Sequence, residues 1–132
     1  MGQDIFQKLK ANGFNTISVY FFWSYHSASR GVLDFKTSGK DIQRMFDYAK
    51  EAGLWVIARA GPYCNAETNG GGLALWGSDG SIGKLRTSDD KYFQAWLPFI
   101  TEVGKIIAAN QVDRGGVCYA QVLSSSSLRC SC

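Results

Sequence analysis

"DIQRMFDYAKEAGLWVIARAGPY", residues 41–63, decides the fold. Its first half places Ile42, Met45, Phe46 and Ala49 at i, i+3, i+4 and i+7, one face of a helix. Asp41 stands where an N-cap belongs and Gly53 where a helix stops. The second half changes period. "LWVIARAGPY" is a continuous apolar run, as expected of a strand buried on both faces.

The same plan occurs on either side. Upstream, "DIFQKLKANG" (4–13) reads as a helix with Ile5 and Leu9 four apart, Asp4 as cap and Gly13 as stop; "FNTISVYFFW" (14–23) is then a strand. Gly13 and Gly53 lie one αβ repeat apart. Downstream, Thr87 or Ser88 can cap a longer helix whose apolar face is Phe93, Trp96, Leu97, Ile100 and Ile107, with Pro98 expected to kink it. "GGVCYAQV" (115–122) is the third strand. Alternating helices and doubly apolar strands predict an α/β fold with a parallel sheet covered by helices. In such sheets chemistry collects at the C-terminal ends of the strands.

Composition narrows the class. With 45% hydrophobic and 19% charged residues in 132, the chain should fold as one domain of ordinary size. The net charge of +3 includes no Lys/Arg run, so neither nucleic acid nor a membrane surface is an expected partner. No apolar stretch approaches the ~18 residues that span a bilayer. The polar start, "GQDIFQKLKANG", reads as a helix and not as a signal peptide. Cys64, Cys118, Cys130 and Cys132 form no disulfide framework, and with a single His no metal site is expected. No cofactor is expected either.

Two strand ends carry candidate chemistry. Tyr20, Trp23, Tyr25 and His26 close the first strand, and aromatic rings beside polar groups suit a sugar. The plainer alternative makes Phe21 and Phe22 core and His26 a loop residue, and for His26 the plainer reading is preferred. After the second strand comes "GPYCNAETNGGG" (61–72). Asn65 offers a donor and an acceptor, Glu67 accepts from two hydroxyls, and the glycines permit close backbone approach. The competing reading is a polar strand end followed by a flexible loop.

The order "GFNTISVYFFW", "AKEAGLWVIARAGPYCNAET", "GG", "LRTSDDKY" resembles glycoside hydrolase family 35, the β-galactosidases, and is most similar to the fungal members. The resemblance runs from Asp4 to Val122. It implies a TIM-barrel catalytic domain that hydrolyses terminal β-galactosyl residues with retention, through two carboxyl groups about 5–5.5 Å apart. It also implies that Tyr20, Asn65, Ala66 and Glu67 bind the galactose. The chain would then be a partial (β/α)8 TIM barrel, helix 1 through strand 4 only, with residues 1–122 as the partial catalytic domain.

The resemblance also sets what should follow the third strand: Glu-Asn-Glu, the second glutamate being the acid/base. Leu123, Ser124 and Ser125 occupy those positions, and Ser125 cannot exchange a proton near neutral pH. The nucleophile is expected beyond the chain end, so no catalytic carboxylate is assigned. The tail "LSSSSLRCSC" (123–132) reads as a frameshift or read-through. Smaller departures are Ser27 after His26, where the family has Glu, and "LALWG" (73–77) where it has a Pro-x-Trp-Leu-like stretch. The expectation is a glycosidase fragment acting on β-galactosides in the longer protein and inactive alone. The alternatives are a non-catalytic galactoside-binding remnant and a flavodoxin-like domain, the latter lacking a phosphate-cradling loop. Full-length relatives are expected to be extracellular or vacuolar; the sequence fixes no location or oligomeric state for this chain.

Overall fold

Helix α1 (Gln3–Ala11), strand β1 (Thr16–Phe22), the single-turn helix α2 (Trp23–His26), helix α3 (Ile42–Glu51), strand β2 (Trp55–Gly61), helix α4 (Asp90–Ala109) and strand β3 (Cys118–Val122) follow one another. They lie within residues 2–122, the part that the computed structural model describes. Ser125 and the tail 123–132 lie outside the described residues.

The strands form one parallel sheet in the order β1-β2-β3. Thr16 pairs with Trp55 and Phe22 with Gly61; Val56 pairs with Cys118 and Ala60 with Val122. All strands therefore point the same way, and the loops after β1 and β2 emerge side by side. No helix among the described residues is long and apolar enough to cross a membrane.

One sheet face carries the core. Phe21, Val56, Ala58 and Ala60 alternate along their strands and are buried with Phe6, Met45, Phe46 and Ala49, and with Trp96, Phe99, Val103 and Ile107. Phe99 is fully buried, with ring centroids 6.4 Å from Trp23, 6.1 Å from His26 and 6.2 Å from Phe35. The other face is uncovered. Trp55 is 42% exposed and Tyr119 52%, packed edge to face at 5.9 Å. The helices thus cover one side of strands whose sequence is apolar on both.

The helix ends follow capping chemistry in part. Asp41 caps α3, its carboxylate accepting the Arg44 backbone N–H at 2.9 Å. Asp4 does not cap α1; it sits in the first turn and pairs with Lys8 at 2.7 Å. The face of α1 is Phe6 with Leu9, and Ile5 points outward, 44% exposed. For α4 the cap is Asp89, accepting the Lys91 N–H at 2.8 Å, in place of Thr87 or Ser88. Its buried stripe is Tyr92, Trp96, Phe99, Val103 and Ile107, with Phe93 37% exposed. A carboxylate caps an N-terminus at least as well as a hydroxyl. Of the predicted face, Leu97 and Ile100 pack against the core as partly buried residues. The helix continues through Pro98 to Ala109.

Candidate functional site at the strand ends

Tyr20 lies on the uncovered face of β1, directly across from Arg59 on β2. The Arg59 guanidinium donates to the Tyr20 hydroxyl and sits 4.5 Å from the centre of its ring. Phe22, two residues on and on the same face, stacks on Tyr20 at 5.8 Å and 6°. The phenol ring thus has two flat groups as neighbours. The Nε of Arg59 is buried and has no hydrogen-bond partner.

The loop after β2 is built around Cys64. This residue is fully buried, and its N–H donates to the Gly71 carbonyl at 2.8 Å. Burial pushes its thiol pKa up, against the opposing charge of Arg59 and a contact to Gly61. The Cys64–Gly71 bond closes a loop whose crest holds exposed Asn65, half-buried Ala66 and exposed Glu67. Within it Ala66 donates to the Cys64 carbonyl at 2.9 Å and Thr68 to the Ala66 carbonyl at 2.7 Å.

Gly71 and Gly72 are required where they stand. Their φ angles are +66° and +74°. A Cβ on Gly71 would lie 2.2 Å from the Tyr63 ring, and one on Gly72 would lie 2.5 Å from the Phe22 ring. Glycine alone allows both the left-handed turn and this approach. The loop therefore rests on Phe22, which rests on Tyr20. Arg86, itself at a positive φ of 59°, places its guanidinium 4.3 Å over Tyr63 on the outer side.

Tyr20 and the Asn65–Glu67 triplet are thus on neighbouring strand ends. Among the described residues no hydrogen bond joins them. Tyr20 and Phe22 also line a cavity of about 330 Å³ with Tyr25, Lys40, Arg44 and Tyr48, along the outer edge of β1. The triplet does not line that cavity.

Of the other aromatics at the end of β1, Trp23 is core: 1% exposed and edge-on to Trp76 at 5.3 Å. His26 is not a loop residue. It ends α2, is 3% exposed, donates from Nδ1 to the Asp34 carbonyl at 2.9 Å, and stacks on Phe35 at 4.8 Å. Burial lowers its pKa, with the nearby Lys40 charge adding to that, against the opposing pull of Asp34. Among the described residues its side-chain hydrogen bond goes to the Asp34 carbonyl, which makes it part of the packing between α2 and the turn at Asp34.

Arg59 is the residue that reading by motif missed. A lone charge inside "LWVIARAG" was the available signal, since a cation in an otherwise apolar strand must have a partner or a purpose.

The family model for glycosyl hydrolases family 35 matches residues 1–123. Over 113 residues the chain is 72% identical to a probable beta-galactosidase C of Sclerotinia sclerotiorum and 71% identical to that of Aspergillus oryzae. Each match covers 86% of this chain and 12% of the relative, so the chain spans about 12% of the length of these curated relatives. Among solved structures, a GH5_18 from Bifidobacterium longum subsp. infantis aligns with a TM-score of 0.69 at 16% identity, covering 92% of this chain and 27% of that one. That likeness is one of fold. By the extent of the family match and by its identity to the fungal proteins, the chain belongs to glycosyl hydrolases family 35.

Proposed function

We propose that this chain is the part of a retaining β-galactosidase that builds one wall of the galactose subsite. In this reading it is a partial (β/α)8 barrel, with β1, β2 and β3 as barrel strands two, three and four. The uncovered sheet face becomes barrel interior, and the cavity beside β1 is filled by a neighbouring strand. Tyr20, Asn65, Ala66 and Glu67 take the sugar.

The observation that supports this is the stack Gly72–Phe22–Tyr20–Arg59 beside an exposed Asn and Glu. It offers what a hexose needs: an aromatic surface for C–H groups, and fixed donors and acceptors for hydroxyls. Retaining hydrolysis needs two carboxyl groups about 5–5.5 Å apart, one as acid/base and one as nucleophile. The loop after β2 brings Glu67, a binding group in this reading, and the described residues hold no such pair around it. Bond cleavage therefore belongs to the longer protein, and the 132-residue chain alone is inactive on β-galactosides.

The test is a graft. The 113 matched residues replace their counterpart in the Sclerotinia sclerotiorum relative, once that parent is shown to hydrolyse 4-nitrophenyl β-galactoside. The chimaeric enzyme should keep activity within about tenfold, equivalent to ~1.4 kcal/mol of barrel distortion. Asn65→Ala and Glu67→Gln should each raise the inhibition constant for galactose by about tenfold or more, through one lost hydrogen bond to a charged or polar partner. A folded chimaera without activity, or variants that bind galactose unchanged, would overturn the reading.

A further inference from the structure

We infer that Arg59 is a positioning residue for Tyr20, and that it fixes the phenol as a hydrogen-bond donor toward the sugar. The inference rests on the reading of Tyr20 as a sugar-binding residue.

A phenol can donate or accept, and a sugar hydroxyl can do either in return. Nothing in tyrosine itself selects between them. Arginine can only donate. Its N–H therefore occupies a lone pair of the Tyr20 oxygen, and the phenolic proton remains to be given elsewhere. A donor that carries charge also polarises the O–H it binds, which strengthens the onward bond.

The ring is positioned as well as polarised. The guanidinium lies 4.5 Å from the Tyr20 ring centre, and Phe22 stacks on the ring at 5.8 Å. Register keeps these partners together, because Tyr20 and Arg59 are direct neighbours across β1 and β2. Arg59 meanwhile keeps a buried, unpartnered Nε. Among the described salt bridges none involves it. A cation partly withdrawn from water costs free energy unless contacts offset it, and the contacts it makes converge on Tyr20.

Lysine cannot replace it. Its ammonium is a compact charge on a flexible stem, without the plane that covers the ring or the fork that reaches the oxygen.

The experiment is a double-mutant cycle in the chimaeric enzyme with Tyr20→Phe, Arg59→Lys and the pair, read by galactose inhibition and by kcat and KM for 4-nitrophenyl β-galactoside. Tyr20→Phe should weaken galactose about tenfold. Arg59→Lys should weaken it by about three- to tenfold, and the double variant should be within about twofold of Tyr20→Phe alone, since both remove one interaction. Effects that multiply, or an Arg59→Lys variant that binds galactose normally, would overturn the inference while leaving the proposed function in place. Should Arg59→Lys fail to fold, Arg59→Gln, which keeps an N–H without the charge, enters the same cycle with the same expectations. An inactive parent chimaera sinks both readings, and additivity in an active one sinks this one alone.

Discussion

The indole N–H of Trp76 donates to the hydroxyl of Ser27 at 3.1 Å, across a sequence separation of 49. Ser27 is 2% exposed and passes its own proton to the Ser29 carbonyl at 3.3 Å. Trp76 is also edge-on to Trp23 and carries the Arg30 guanidinium 5.2 Å above its ring. Ser27 and Trp76 of the "LALWG" stretch, which the resemblance marks as smaller departures than the tail, meet in this one bond. The bond ties the end of α2 to the loop that follows the glycines.

We predict that Ser27→Ala loosens this tie by about 1 kcal/mol, the ordinary net worth of one hydrogen bond. Ser27→Glu should cost roughly 1–3 kcal/mol, because a longer, charged side chain must enter a filled site. Hydrogen exchange in the chimaeric enzyme, followed in peptides spanning residues 23–36 and 69–78, gives both. Equal protection in wild type and Ser27→Glu would show that the site is not packed as described.

The glycines give a sharper contrast. Gly70 and Gly72 both have positive φ, so alanine at either costs about 1–2 kcal/mol of backbone strain. A Cβ on Gly70 meets nothing within 4 Å, whereas one on Gly72 meets Phe22 at 2.5 Å. Gly72→Ala should therefore disturb the Phe22–Tyr20 stack and weaken galactose at least tenfold, about 1.4 kcal/mol. Gly70→Ala should change it by about twofold or less. Inhibition constants that shift alike for both variants would rule out transmission through Phe22.

Two titrations should separate by pH. The folded pKa of His26 lies below its ordinary value of 6.5, chiefly through burial. The unfolded segment therefore binds more protons just below that pH. The stability contributed by the neutral ring is present above about 6.5 and is lost as pH falls toward the folded value. Asp34 is also depressed, by the backbone N–H groups of Thr37 and Lys36, so its contribution persists until pH drops below about 3.9. The Asp34 N–H donates to the His26 carbonyl at 2.8 Å and reports on this turn. Its exchange protection, corrected for intrinsic rate, should fall between pH 7 and 5. A flat profile across that window would remove His26 as the cause.

The thiols should be inert in the folded state. Cys64 and Cys118 are 0% and 1% exposed, and burial raises both pKa values. Reaction needs an accessible thiolate. Labelling by a disulfide reagent at pH 8 should leave both unmodified in the native chimaera, as read by mass spectrometry of their peptides, and reach both in guanidinium. Rapid native labelling of Cys64 would mean that the Cys64–Gly71 closure opens readily.

Much of the fold was legible because period and punctuation agreed. Ile42, Met45, Phe46 and Ala49 form the buried stripe their spacing predicts, and Asp41 caps them. The α4 face was legible in Trp96 and Ile107, which are buried, and in Leu97 and Ile100, which pack against the core; Phe93 was misplaced, and Tyr92, Phe99 and Val103 complete the stripe. The uncovered face was harder to foresee. An apolar strand announces burial on both sides, but not which partner covers each. At the site, Tyr20, Asn65, Ala66 and Glu67 came from a motif. Arg59 did not, since its role depends on strand register, which no local pattern within either strand encodes.

The bare face with Trp55 and Tyr119 has a consequence for biosynthesis. The helical layer closes over β1, β2 and β3 using contacts within these residues; in the proposed barrel, the other face takes its partners from strands that come later in the polypeptide. On a translating ribosome this segment would acquire its outer coat first. Its aromatic lining and unpaired strand edges would stay open to chaperones, or to another nascent chain, until later strands arrive.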